Sequence, residues 1–317
     1  MKTIRRILQN YGTLIALFLI AAVFSALRPK AFFTVRNFLY VTRQIAPLTL
    51  IATGATLVMS VNEFDLSIGA MASLGGVISA MLAVQGLPMW ACFTLPLLIC
   101  MALGVVNGLI VARFRVLSFI TSLGMSTIVS GIIFRLTGGA TVFQNIPQAF
   151  SWLGNFKVGD VPLLSLIMVA FVLLFTFLMN ETVPGRRMYA IGGNQEAAQI
   201  AGLRVGLFKT LAFALCAGMA CVTGMLLASR VGSANTTAGD AYFLKSYAAV
   251  YIGCTVSRRG VPNVPGTLVG AAILGVLENG LTMMQMPTYM QDIITGLIII
   301  LAVILRKVGR SGKGARA

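Results

Sequence analysis

Residues 88–112 read PMWACFTLPLLICMALGVVNGLIVA, a stretch in which no side chain carries a charge. A helix of about 25 residues is about 37 Å long, which is enough to cross the roughly 30 Å hydrocarbon core of a bilayer. Further apolar segments lie on both sides of this one, so the sequence predicts a fold built from membrane-spanning helices. They occupy 11–27, 44–61, 67–84, 116–136, 161–179, 208–229, 242–256, 263–284 and 288–305.

The composition of the chain also indicates a membrane protein. Of the 317 residues, 58% are hydrophobic and 10% are charged, and the mean hydropathy is +0.92. Soluble domains carry about 25% charged residues, so this chain lacks the side chains for a water-exposed surface. We therefore predict an all-α integral membrane protein of about ten transmembrane helices, organised as a single domain over 1–317.

The basic residues lie between the apolar segments rather than in one patch. The chain has 24 Lys and Arg against 8 Asp and Glu, a net charge of +16. With the N-terminus inside, sixteen of the 24 basic residues fall on the inner side, as the positive-inside rule requires. We therefore expect both termini in the cytoplasm, and a lipid bilayer rather than nucleic acid around the protein.

The N-terminal region has two features of its own. Basic residues precede the apolar run 11–27, as in a signal peptide, but further basic residues directly after it favour a retained first helix. The next stretch, 28–43, would lie on the outer side despite its four basic residues. Its aromatic residues predict an interfacial amphipathic helix.

The sequence lacks the motifs of common catalytic sites. It contains no histidine, and its five cysteines lie in apolar surroundings without C-x-x-C spacing, so we interpret them as small buried residues. There is no G-x-x-x-x-G-K-[ST] phosphate-binding loop. We therefore expect a protein that is not an enzyme and that holds neither a metal nor another cofactor itself.

Two carboxylates stand between apolar runs in VNEFDLSIG, residues 61–69. A charge at the centre of a membrane helix costs about 2.5–3.5 kcal/mol, so both need partners, water or an interface. Asp65 would also suit the N-cap of a helix that starts near Ser67. For Asn62 and Glu63 a surface position and a pathway position are equally open. The candidate substrate-pathway residues here are Asn62, Glu63, Phe64, Asp65 and Ser67.

Polar groups interrupt other apolar segments as well. Glu278 and Asn279 lie within 263–284 and need partners or water there. Ser122 belongs to a milder polar set, which helix packing alone would also explain. We add these three to the pathway candidates. The segment 242–256 is short and contains Lys245, which predicts a broken or tilted helix lining a cavity.

The stretch 181–209 is the longest predicted connection on the inner side. Asn194 suits an N-cap, Glu196 suits the first turn near the positive end of the helix dipole, and Gly202 suits a left-handed stop. We therefore predict a short helix that starts after Asn194 and ends at Gly202.

The order of several motifs resembles the ribose-type sugar permeases, the transmembrane subunits of bacterial ATP-binding-cassette importers in the branched-chain amino acid/ribose permease superfamily. DLSIG at 65–69 is similar to the IDLSVG signature of that family, and GRRMYAIGGNQEAA at 185–198 is similar to its GR-YALGGNEAA motif. AAVYIGCT at 248–255 and PGTLVGA at 265–271 resemble AAVVLGGTS and GTLIGA. These matches run in order through most of the chain.

The resemblance implies partners and an energy source. Two such permeases, identical or paralogous, would pair in the cytoplasmic (inner) membrane on cytoplasmic ATPase subunits that use ATP and Mg. A periplasmic sugar-binding protein would deliver the solute. The stretch 181–209 would contact the ATPase, and the residues that match the coupling motif are Gly192, Gly193, Asn194, Glu196, Ala197, Ala198 and Gly202.

The chain departs from the family pattern at 62–64, at Cys254 and at Glu278. These changes favour a sugar or sugar-like solute such as a polyol over any named pentose. A related branched-chain amino acid or nucleoside permease fits the DLSIG run less well. The alternative from another class is a stand-alone secondary transporter that uses intramembrane carboxylates for proton coupling. A weak internal repeat, 55–69 with 249–270, is typical of transporters in general.

Overall fold

The structure is a computed structural model that describes residues 2–256, 260–298 and 300–301. The predicted cytoplasmic C-terminus and the loop arginines Arg258 and Arg259 lie outside the described residues. Residues 288–298 and 300–301 are also helical, but they are given no helix label here. The labelled helices are α1 Lys2–Leu27, α2 Pro29–Phe32, α3 Val35–Ser60, α4 Ile68–Val84, α5 Met89–Phe114, α6 Ser118–Thr137, α7 Gln148–Asn155, α8 Leu163–Glu181, α9 Val183–Gly193, α10 Gln195–Ile200, α11 Val205–Val231, α12 Asp240–Cys254 and α13 Val264–Met283.

The helices account for nearly all of the regular structure. In the described part of the chain, α5, α6, α8, α11 and α13 are each long and apolar enough to cross a membrane. Two shorter apolar helices cover 15–27 and α4. The strands β1 (Lys157–Val158) and β2 (Val161–Pro162) form only a small antiparallel hairpin. An all-α membrane fold is therefore confirmed, and the count of ten crossings stays a prediction.

Helix α11 lies at the centre of the bundle and packs against α3, α4 and α5. Its contacts are close because small residues let the backbones approach. A Cβ atom on Gly224 would lie 1.7 Å from the Ala72 carbonyl oxygen of α4. In the same way, a Cβ on Gly270 would lie 2.1 Å from the Ala249 carbonyl oxygen, so α12 and α13 are also in close contact. The cysteines are all buried, as predicted.

Two half-length helices begin beside each other inside the bundle. Helix α4 follows the irregular residues 61–67 after α3, and α12 follows 232–239 after α11. A Cβ on Gly239 would lie 2.0 Å from the carbonyl oxygen of Gly69, so the first turns of α4 and α12 touch. Broken helices that meet inside the protein are typical of transporters. The internal repeat in the sequence relates the pair α3–α4 to the pair α12–α13. In the structure, by contrast, the helices whose starts touch are α4 and α12.

The bundle has two ends, which we name by their short helices. Helices α9 and α10 lie where α3 ends and α11 begins, and we call this the α10 end. Helix α7 lies where α11 ends, because the backbone of Gly154 packs on Arg230 and donates a hydrogen bond to Ser229. We call this the α7 end.

The prediction of one interfacial helix over 28–43 was wrong. The stretch contains the single turn α2 and then the first turns of α3, which starts at Val35. The physical reason is a local cap, because the Thr34 hydroxyl accepts a hydrogen bond from the N–H of Asn37 and the Asn37 amide donates to the Phe32 carbonyl. Phe33 nevertheless remains exposed on the outside of the bundle.

Candidate functional site

The break between α3 and α4 is held in place by a tyrosine of α12. We call residues 61–67 the break segment. The N–H of Asp65 donates to the hydroxyl of Tyr247 over 2.8 Å, and this hydroxyl donates to the Asp65 carbonyl over 2.9 Å. The ring of Phe64 packs on the same tyrosine, with the centroids 5.5 Å apart. The Tyr247 hydroxyl therefore takes the place of the backbone C=O and N–H groups that would bond to Asp65 in a continuous helix.

Two serines of α6 support the break segment from another side. The Ser118 hydroxyl accepts from the N–H of Phe64 over 3.2 Å, and the Ser122 hydroxyl accepts from the N–H of Leu66 over 2.9 Å. Both serines are buried. Ser122, a predicted pathway residue, thus touches the backbone of the break segment, and side chains of α6 and α12 satisfy the polar groups that the break exposes.

The Asp65 carboxylate lies just before α4 and bonds to Ser67, and the prediction that Asp65 is the N-cap of this helix was wrong. The N-cap is Ser67, without a side-chain cap hydrogen bond, because α4 begins only at Ile68. The Asp65 Oδ1 atom accepts from the N–H of Ser67 over 2.9 Å and from the Ser67 hydroxyl over 2.5 Å. The other oxygen has no hydrogen-bond partner among the described residues and lies close to the Cys216 thiol. Both Asp65 and Ser67 are fully buried, so in this conformation neither lines an open cavity.

Glu63 forms an ion pair with Lys209 at the start of α11. The two side chains are 14% and 10% exposed, so most of each charge is removed from water. Asn62 beside it is exposed and has a positive φ of 60°, a conformation that asparagine tolerates better than most residues. The ion pair therefore ties the break segment to the central helix of the bundle.

We expect Tyr247→Phe to lower the stability of the protein. The variant leaves the Asp65 N–H buried without its partner, which costs about 1–3 kcal/mol. Thermal unfolding in detergent should show a lower midpoint than for the wild type. The matched control is Tyr289→Phe, because that ring is 63% exposed. Equal midpoints for the two variants would contradict a supporting role for the Tyr247 hydroxyl.

A polar cavity of about 530 Å³ opens near the α7 end, and we call it the α7 cavity. This volume lies within the range of ligand sites, roughly 300–1,000 Å³. The short helix α12 contributes Lys245 and Tyr242, as the broken segment in the sequence had predicted for a cavity wall. The complete lining is Tyr40, Arg43, Gln44, Ile45, Leu48, Asn155, Arg230, Ala241, Tyr242, Lys245, Gly275 and Glu278.

The two polar residues predicted within α13 have different surroundings. Glu278 lines the α7 cavity and forms an ion pair with Lys245, with 2.6 Å between Oε1 and Nζ. Asn279 is buried, and its amide donates to Asn37 Oδ1 over 3.0 Å. Asn279 also borders a second cavity of about 1,010 Å³. The predicted pathway residues thus form two separate groups. One is the break segment with Ser122, and the other is Glu278 and Asn279 in α13.

Helix α10 has the capped form that the sequence predicted. Asn194 Oδ1 accepts from the N–H of Ala197 over 3.0 Å, Glu196 lies exposed in the first turn, and Gly202 follows the helix with a φ of +80°. Ala198 is buried against the bundle. Ile200 is 88% exposed, so α10 presents a large apolar side chain outward. This residue was not among the predicted coupling residues.

Helix α9 places one predicted coupling residue, Gly192, against the end of α3. Helix α9 was not predicted from the sequence. Its N-cap is Thr182, whose hydroxyl accepts a hydrogen bond from the N–H of Gly185. A Cβ on Gly192 would lie 2.0 Å from the Ser60 carbonyl oxygen, so the two backbones touch, whereas a Cβ on Gly193 would meet open space. Burial raises the pKa of Tyr189 on α9 to about 12, with a smaller effect of nearby Cys254, so the hydroxyl stays neutral at physiological pH.

The fold and the site together define the class of protein to which this chain belongs. Half-length helices that meet inside an apolar bundle, a polar cavity beside them and a capped helix at the opposite end belong to a membrane transporter. Among the residues that the structure describes, no group of three His, Cys, Asp or Glu side chains is arranged to hold a metal ion.

The chain belongs to the family described as the permease component of the branched-chain amino acid transport system, which it matches over residues 37–303. It is similar to the ribose import permease protein RbsC of Haemophilus influenzae, with 35% identity over 95% of this chain and 94% of the relative. RbsC of Escherichia coli is 34% identical over 94% of each chain. The xylose transport system permease protein XylH of Escherichia coli is 31% identical over 93% of this chain and 91% of its own length. The resemblance to permeases of the ribose type is thereby confirmed.

Proposed function

We propose that the chain is the membrane-spanning permease subunit of an ATP-binding-cassette importer for a sugar or sugar-like solute. The observation that carries the proposal is the nearly full-length similarity to ribose and xylose permeases. In this proposal the chain crosses the inner membrane about ten times. The α10 end and both termini are cytoplasmic, and the α7 end faces the periplasm.

The proposed partners supply the energy and the solute. The chain has no phosphate-binding loop, so ATP and Mg would be bound by a cytoplasmic ATPase subunit. A second permease, either another copy or a paralogue, would complete the membrane unit. A periplasmic sugar-binding protein would dock at the α7 end. The capped helix α10 with its exposed Ile200 suits a groove on the ATPase.

The contacts of α9 and α10 suggest how ATPase motion reaches the pathway. Movement of α10 is transmitted to α9, and Gly192 of α9 presses on Ser60 at the end of α3. The next residues form the break segment, whose backbone is bonded to Ser122 of α6 and Tyr247 of α12. A displacement at Ser60 would therefore shift the first turns of the two half-length helices. The residues Asn62, Glu63, Phe64, Asp65 and Ser67 act in this proposal as the moving part of the pathway.

The ion pairs of the structure weigh against the stand-alone secondary transporter. Glu63 and Glu278 each have a lysine partner, and the Asp65 carboxylate accepts hydrogen bonds from Ser67. Either glutamate could carry a proton through the protein only after its contact with the lysine is broken. The similarity of the relatives over nearly the whole chain favours the importer on independent grounds.

The proposed function is tested by isolating the chain with its partners from the native host. We expect an ATPase subunit to co-purify and its hydrolysis to rise when a binding protein presents a sugar. Reconstituted vesicles should then accumulate that solute only with ATP on the ATPase side. A purified chain that drives uptake from a proton gradient without an ATPase would contradict the proposal.

We expect Gly202→Pro to abolish ATP-dependent uptake. The φ of +80° at this position is closed to proline, whose ring fixes φ near −65°. Gly202→Ala is the matched variant, because alanine in this conformation costs only about 1–2 kcal/mol and should retain part of the uptake. ATP hydrolysis and uptake are measured on the same vesicles. Equal uptake by both variants would contradict a requirement for the stop at Gly202.

A further inference from the structure

The α7 cavity carries more positive than negative charge. Arg43 of α3, Arg230 of α11 and Lys245 of α12 line it together with a single carboxylate, that of Glu278. All eight acidic side chains of the protein lie in the described part of the chain, and the ion pair of Glu278 is with Lys245. The two arginines therefore face the cavity without an acidic partner.

The hydrogen bonds of Arg43 leave part of its guanidinium group without an acceptor among the described residues. One terminal nitrogen donates to the Gly154 carbonyl over 3.2 Å and to Asn155 Oδ1 over 2.7 Å. The Nε atom is buried and has no acceptor among the described residues. Arg230 lines the same cavity. Two neighbouring cations in a partly buried cavity are costly without a counter-charge.

Groups that suit sugar hydroxyls line the same cavity. The Oε1 atom of Gln44 is buried without a donor among the described residues, and Tyr40 and Tyr242 line the wall. A second cavity shares Arg43 and adds Arg36, Lys157 and Asp160, so basic residues outnumber acidic ones there as well. A cavity lined by one sign of charge raises the local concentration of the opposite ion.

We infer that the transported solute is an acidic sugar, that is, a polyhydroxylated anion with a carboxylate or phosphate group. Arg43 and Arg230 bind the anionic group, because a guanidinium matches the geometry of both carboxylate and phosphate. Gln44 and the Lys245–Glu278 pair bind hydroxyl groups. This inference rests on the proposed function, because it assigns a substrate class to the proposed pathway.

A rival use of these cations is the binding of an acidic surface on the periplasmic partner. The shape of the site favours the solute, because Arg43 and Arg230 line a concave cavity of about 530 Å³ rather than a protruding surface. If docking were the role, removal of the charge would reduce the uptake of neutral and acidic solutes alike.

The test uses the complex purified from the native host with its binding protein and reconstituted in vesicles. Uptake is compared for matched solutes, namely ribose, ribonate and ribose 5-phosphate, and glucose, glucuronate and glucose 6-phosphate. We expect ATP-dependent uptake of an acidic member, and the carboxylate and phosphate arms separate the two anionic groups. Arg43→Gln and Arg230→Gln should each lower this uptake by roughly tenfold or more. Arg43→Lys should retain more uptake than Arg43→Gln.

The control is Arg135→Gln, because Arg135 is exposed on α6 and does not line the α7 cavity. Uptake of neutral sugars alone, or uptake of an acidic sugar that neither glutamine variant changes, would overturn the inference and leave the importer standing. An equal loss of neutral and acidic uptake would also overturn it. If no ATPase accompanies the chain, the proposed function itself fails. Should Arg43→Gln not fold, as judged by gel filtration, Arg230→Gln decides the question.

Discussion

Gly192→Ala is expected to uncouple ATP hydrolysis from solute uptake. The new Cβ would lie 2.0 Å from the Ser60 carbonyl oxygen, which is too close for any real contact, so α9 must move away from α3. Overpacking costs about 1–3 kcal/mol, which corresponds to a change of roughly five- to 150-fold in an equilibrium. We expect uptake to fall within that range while the ATPase continues to hydrolyse ATP.

The glycine next to it separates two explanations of such a loss. A Cβ on Gly193 meets open space, so Gly193→Ala leaves the contact between α9 and α3 unchanged. A loss in Gly192→Ala alone would assign the effect to that contact. A similar loss in both variants would assign it to the surface that the ATPase binds. Gly206→Ala is the neutral control, because its Cβ would make an ordinary 3.5 Å contact with Ala112. Unchanged uptake by Gly192→Ala would contradict the proposed transmission route.

The sequence predicted those features that depend on neighbouring residues. Helix α10 was predicted because its cap and its left-handed stop lie within a few residues of each other. For α4 the same local reasoning placed the N-cap at Asp65, two residues too early, since the N-cap is Ser67. Helix α9 was missed, although Thr182 followed by Pro184 is a start signal that could have revealed it. The mixture of glycine and arginine in α9 lacks the long apolar run by which the membrane-spanning helices were predicted.

The partners of the site residues could not be predicted from the sequence. Lys209 is 146 positions from Glu63, and Tyr247 is 182 positions from Asp65. Nothing local to either member indicates its partner, because the pairing depends on how α11 and α12 pack around α3. The same holds for the α7 cavity, to which Arg43 and Arg230 come from different helices. Sequence analysis identified the polar residues that need partners and left the partners open.

The pair of Glu63 and Lys209 gives the second large effect that we expect. Lys209→Met leaves a mostly buried carboxylate without its partner, and the removal of one member of such a pair costs about 3–5 kcal/mol. The break segment would also lose its tie to α11. We therefore expect a strongly lowered midpoint of thermal unfolding and a loss of uptake. Lys30→Met is the control, because Lys30 is exposed and far from the break segment in sequence.

The double variant Glu63→Gln with Lys209→Met distinguishes the ion pair from simple loss of a lysine. It removes both charges, so the uncompensated carboxylate of the single variant is gone, and we expect part of the stability to return. Coupled residues show interaction energies of about 0.5–3 kcal/mol in such a cycle. Recovery of stability without recovery of uptake would mean that the charges also act in transport, since the fold would then be intact. If the loss of stability in the double variant equals the sum of the losses in Lys209→Met and Glu63→Gln alone, the pair contributes nothing as a pair. The break segment would then owe its position to Tyr247 and the serines of α6 alone.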